Sequence, residues 1–125
     1  MAEKTRYLTF NIVVWIIDAE HIGPIRDEGL VQSAIERPAT TILGSDAYPD
    51  IAQKAAALFH SVCLNHALID GNKRLAAILA LVFLEINGSR CSLSNDALFE
   101  LVMAVASGAK CDVDEIVAAL RVAEL

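Results

Sequence analysis

The residues able to do chemistry crowd into nine positions, "HALIDGNKR", residues 66–74. An imidazole, with an ordinary pKa near 6.5, can take a proton from a hydroxyl at neutral pH, which suits His66 to the work of a general base. Asp70 offers a hard oxygen of the kind Mg²⁺ prefers when it bridges phosphates. Gly71 has no Cβ, so a ligand can approach the backbone there. Asn72 opens a helix whose free N–H groups and dipole favour an anion. Lys73 and Arg74 add positive charge, and the arginine fork matches phosphate oxygens. Together these are the parts of phosphoryl or nucleotidyl transfer: a phosphate cradle, a metal ligand and a base.

A plainer account exists for part of the cluster. "IDGNK" also reads as a helix–helix turn, with Asp70, Gly71 and Asn72 chosen for turn and capping chemistry. That account leaves Lys73 and Arg74 unexplained. Both fall in the first turn of a helix, where the macrodipole disfavours each cation by roughly 0.3–1 kcal/mol. The conflict is resolved if an anion occupies that helix end.

The cluster must be held by its neighbours. "LAAILALVFLEI" follows it directly and predicts a helix over 72–87 that is apolar nearly all round. Ala76, Ala77 and Ala80 would let other helices come close, which suggests a central helix. Before the cluster, Asp50 caps a helix over 51–65. Apolar residues at 10, 12, 13, 14, 16 and 17 predict an amphipathic helix over 9–20, with Trp15 in the core. A loop "HIGPIRDEG" leads to a short helix that Asp27 caps and Pro38 closes. "PATTILGSDAYPD" (38–50) is the longest irregular stretch. Asn87-Gly88 ends the central helix, and two more helices follow near 94–107 and 112–122, capped by Ser94 and Asp112. "SRCSLS" makes a short extended piece at most. The class is all-α, in a single domain spanning 1–125.

The chain has 125 residues, 55% of them hydrophobic, and a mean hydropathy of +0.48, so it can bury a core unaided. The longest apolar run, Leu75 to Leu84, is ten residues, against about 20 for a membrane span. Asn11 interrupts the first apolar run and no cleavage pattern follows it, so the expected location is cytoplasmic. Cys63, Cys91 and Cys111 fit neither a disulfide framework nor a zinc site and read as buried thiols. A net charge of −6 repels phosphate backbones, so direct nucleic-acid binding is not expected.

At the nine-residue cluster the chain resembles the Fic-domain signature, broadly H-x-F-x-[DE]-G-N-[GK]-R, and Lys73 is similar to the death-on-curing (Doc) toxin branch. "IRDEGLVQSAIERP" (25–38), "YPDIAQKAAALFHSVCLNH" (48–66) and "LVFLEING" (81–88) resemble the same family in the expected order. The resemblance implies a compact helical Fic/Doc fold of some six helices around a central apolar one. It implies ATP and Mg²⁺, with His66 as base, Asp70 as metal ligand, Gly71 and Asn72 in the anion-binding turn, and Lys73 with Arg74 on the phosphates. Doc toxins are kinases that phosphorylate elongation factor Tu, halt translation and are restrained by a Phd-type antitoxin. Most other Fic proteins transfer AMP.

Two departures bear on activity: the usual Phe is Leu68, expected to remain a buried anchor, and the common Pro is Ala67. A further arginine of AMP-transferring members is Ala77 here, which with Lys73 favours phosphoryl transfer. AMP transfer, or a partner-binding member that has lost catalysis, are the alternatives. Elsewhere, His60 reads as a packed histidine and His21 as a loop residue without a partner pattern. Arg26 starts the second helix or lines the site. Thr40, Thr41 and Ser45 fall where the family carries a flap that aligns the target chain.

Overall fold

The structure, a computed structural model, describes residues 4–110 and 112–125. Cys111, expected as a buried thiol, lies outside the described residues; Cys63 is buried and Cys91 half-buried. Six α-helices are found among the described residues: α1 (Phe10–Ala19), α2 (Glu28–Glu36), α3 (Ile51–Asn65), α4 (Asn72–Ile86), α5 (Asn95–Ala106) and α6 (Val113–Leu120).

The capping side chains define where most of them begin. Thr9, Asp27, Asp50, Ser94 and Asp112 each accept an N–H from the first turn of α1, α2, α3, α5 and α6. At α3 the cap is reciprocal, with Gln53 reaching back to the Asp50 N–H.

The loop 66–71 returns α4 against α3, and this pair forms the centre of the molecule. Leu75, Ala76, Leu79, Ala80, Phe83 and Leu84 of α4 are buried, as the all-round apolar pattern requires. From α3, Ala55, Ala56, Leu58, Phe59 and Val62 meet them. α2 and α6 pack on α3, while α5 leans on both members of the pair.

Trp15 corrects the sequence reading. It is 71% exposed, because α1 buries the stripe Val13, Ile16 and Ile17 instead. At 100° per residue Trp15 and Ile12 fall on the far side of that stripe. With apolar residues on both faces, periodicity could not choose between them.

Short strands appear where little extended structure was expected. β1 (Thr41–Ile42) and β2 (Ser45–Asp46) form an exposed hairpin turning at Leu43-Gly44, both with positive φ. β3 (Ser89–Cys91), within "SRCSLS", pairs antiparallel with β4 (Val122–Glu124). Lys54 ties the hairpin to the core: it is 1% exposed, donates to the Pro38 carbonyl at 3.1 Å and meets the Asp46 carboxylate at 3.3 Å. Arg37 braces the hairpin's base, donating to Tyr48 Oη at 3.0 Å and Ser61 Oγ at 2.9 Å, and its Nη1 lies 2.8 Å from His60 Nδ1. His60 is thus a packed histidine.

Candidate active site

The loop 66–71 takes its shape from three sets of bonds. The first is internal: the Asn72 side chain brackets Leu68, accepting its N–H and donating to its carbonyl, both at 2.9 Å. Asn72 therefore commits its amide oxygen and one of its two amide N–H groups to the loop. The second set stitches the loop to residues 23–27. Gly23 N–H donates to the Asp70 carbonyl and Ile69 N–H to the Pro24 carbonyl, both at 2.9 Å, and the N–H groups of Arg26 and Asp27 converge on the Ala67 carbonyl. Ile25 and Leu68 form a bridge between the two segments. The third set is Arg26 itself, whose Nε donates to the His66 carbonyl at 2.8 Å. Arg26 thus positions the loop from behind and does not line the cavity. Leu68 and Ala67 are buried, so Leu68 serves as the anchor.

His66 ends α3 in the left-handed conformation, φ 53° and ψ 46°. Helices that stop this way usually use glycine, and a side chain there costs about 1 kcal/mol. The distortion leaves the imidazole exposed at the cavity mouth. Gly71 has φ +95°, and a Cβ there would lie 2.6 Å from Ile22 Cβ. The glycine is thus demanded by its backbone angle and by Ile22, in line with the turn role that the sequence also offered for it.

α4 alone among these six helices has no side-chain cap. Its first turn opens into a cavity of about 850 Å³ that His66, Asp70, Gly71, Asn72, Lys73 and Arg74 all line. All six residues singled out in the sequence therefore meet in one place. Asp70 and Lys73 are exposed there and form no ion pair among the described residues. Arg74 is engaged: its Nη2 donates to Glu20 Oε1 at 2.7 Å. Both partners are substantially exposed, so the pair is worth at most about 1 kcal/mol and an incoming phosphate can displace the carboxylate. Burial pushes the Cys63 thiol up to about 12, with Lys73 pulling weakly the other way. Cys63 lines the cavity as a neutral thiol, not as a nucleophile.

The opposite wall is apolar and belongs to α5: Leu98, Phe99, Val102, Met103 and Ala106. Sequence reading missed this wall, and it missed Glu20 and Lys54. No local pattern brings α5 to the motif, and Glu20 reaches Arg74 across 54 positions. Thr40, Thr41 and Ser45 do not line the cavity.

The model of the Fic/DOC family matches residues 7–84. The chain belongs to the Fic/DOC family. Toxin Doc of Mycolicibacterium smegmatis (strain ATCC 700084 / mc(2)155) is 45% identical to it over 97 residues, 77% of this chain and 75% of that protein. The helical Fic/Doc architecture expected from the motif is the one observed, down to a central α4 that carries the family loop. The matched range covers α1 to α3, the motif loop and α4 as far as Leu84, and stops before α5.

Proposed function

We propose that this chain is the toxin of a toxin–antitoxin pair and uses ATP to phosphorylate a Ser or Thr hydroxyl on a translation factor. One observation carries the reading: the uncapped start of α4 opens, with Lys73, into the cavity that also holds His66 and Asp70. The name of the M. smegmatis relative, Toxin Doc, supports the toxin assignment. The family resemblance points to elongation factor Tu as target and to a Phd-type antitoxin as partner.

In the proposed reaction His66 takes the proton of the target hydroxyl. The freed oxygen attacks the γ-phosphorus, the bond to the β–γ bridging oxygen breaks, and ADP leaves. The α4 N–H groups and Lys73 hold the negative charge of the phosphates, and Arg74 joins them once released from Glu20. Among the described residues no three His, Cys, Asp or Glu side chains gather into a metal cage. A lone carboxylate such as Asp70 is nonetheless what Mg²⁺ uses when phosphates and water complete its shell. Bound there, Mg²⁺ would neutralise phosphate charge. Ala77 lines the cavity where AMP-transferring members carry another arginine, which supports phosphoryl transfer.

No helix among the described residues is long and apolar enough to cross a membrane, in keeping with a proposed cytoplasmic site of action. The test is transfer to purified elongation factor Tu and to lysate. Label is expected to move from γ-labelled ATP; movement from α-labelled ATP instead would establish AMP transfer. Induced expression is expected to arrest growth, with the arrest lost in Asp70→Ala and relieved by a co-expressed antitoxin. Arrest indifferent to Asp70→Ala would mark a partner-binding member without catalysis.

A further inference from the structure

The cavity has two chemically different ends. At one, the 66–74 loop supplies N–H groups, a carboxylate and two cations; at the other, the middle of α5 supplies hydrocarbon, a phenyl ring and a thioether. Phe99 is 65% exposed and Met103 43% exposed, unusual values for large apolar side chains lining a concave site. They are spaced i, i+4, so both project from one face of α5 into the same space. Among the described residues, the polar side chains in this part of the lining are Asn95, which opens α5, and Ser107, which follows its last residue. These lie at opposite ends of the helix, about 18 Å apart at 1.5 Å per residue. The middle of the wall can therefore stack on a flat ring but has no side-chain donor or acceptor for that ring's edge.

From this we infer that α5 holds the base of the nucleotide by its face and does not read its edge, so that the site accepts adenine and guanine triphosphates alike. The inference rests on the proposed reading of the 66–74 loop as the phosphate end. Its physical basis is the asymmetry of molecular recognition. Sites that hydrogen-bond a substrate reject an analogue lacking the partner by about 10⁴–10⁵, whereas apolar surfaces discriminate by about 10–200-fold at most. Stacking on an aromatic ring tolerates any base because every base has a π-face. The cavity volume, about 850 Å³, suits a ligand of nucleotide size. α5 lies beyond the range 7–84 that the family model matches.

The experiment is calorimetric binding, with Mg²⁺, of the β,γ-imido analogues of ATP and GTP and of inorganic tripolyphosphate. The two nucleotide analogues are expected to bind within about tenfold of each other, both more tightly than tripolyphosphate. Phe99→Ala, at an exposed position where folding is not at stake, is expected to weaken both analogues about tenfold and to leave tripolyphosphate unchanged. Phe99→Trp, which restores a stacking face, is expected to recover the loss. A guanine analogue bound more than a hundredfold more weakly than the adenine one overturns the inference, as does Phe99→Ala without effect. If tripolyphosphate binds as well as either nucleotide, the base site is wrong while the phosphate end stands. If nothing binds, both readings fall together.

Discussion

His66 carries the sharpest conflict between stability and use. Its left-handed backbone suits glycine, so His66→Gly is expected to raise stability by about 1 kcal/mol in urea unfolding while abolishing transfer. A variant that loses both would mean that the imidazole has a packing role its exposure does not show. Arg74 presents a different competition. Glu20 holds the guanidinium at 2.7 Å and must be displaced before a phosphate can claim it. Glu20→Gln is expected to tighten binding of the ATP analogue by up to about fivefold, the upper worth of an exposed pair. Weaker binding would place Glu20 among the supports of the site. The candidate residues of the motif were legible because they fall within nine positions, but their states were not. That Asn72 closes the loop on Leu68, or that Arg74 is already engaged, depends on geometry that the spacing does not encode.

Element boundaries followed the sequence wherever a single local residue decides them. Asp27, Asp50, Ser94 and Asp112 cap the helices they were expected to cap, since an N-cap needs only its own first turn. What failed were questions of facing and pairing. α1 has apolar residues on both sides and buries the one without Trp15. β3 pairs with β4 across the whole of α5 and α6, a contact that no short window can reveal. Lys54, on which no sequence pattern bears, is a buried tether. Replacing it tests what holds the hairpin: Lys54→Ala is expected to cost about 2–5 kcal/mol, combining a cavity with lost polar contacts. Lys54→Met keeps the volume and should cost much less. It should also free the β1–β2 hairpin, so that proteases cut near Leu43-Gly44 faster than in the parent. Equal cleavage in the two would show that Lys54 does not restrain the hairpin.

At the scale of the molecule, one buried thiol links the site to global stability. Folding raises the Cys63 pKa from 9.0 to about 12, so the unfolded chain releases this proton first. Well below pH 9 the thiol is neutral in both states and contributes no pH dependence. Between 9 and 12 it removes stability at about 1.4 kcal/mol per pH unit. Across that window the parent is expected to lose stability more steeply than Cys63→Ala in denaturant titrations; parallel curves would contradict the burial argument. The acidic whole, net −6, still concentrates Lys73 and Arg74 at one mouth, consistent with charge reserved for a small anionic ligand. Finally, residues 66–70 are held in part by hydrogen bonds exchanged with 23–27, some forty positions upstream. A fragment starting at α3 would retain every letter of "HALIDGNKR". Without the upstream backbone to clasp it, that fragment should display the consensus on paper and an unformed turn in solution.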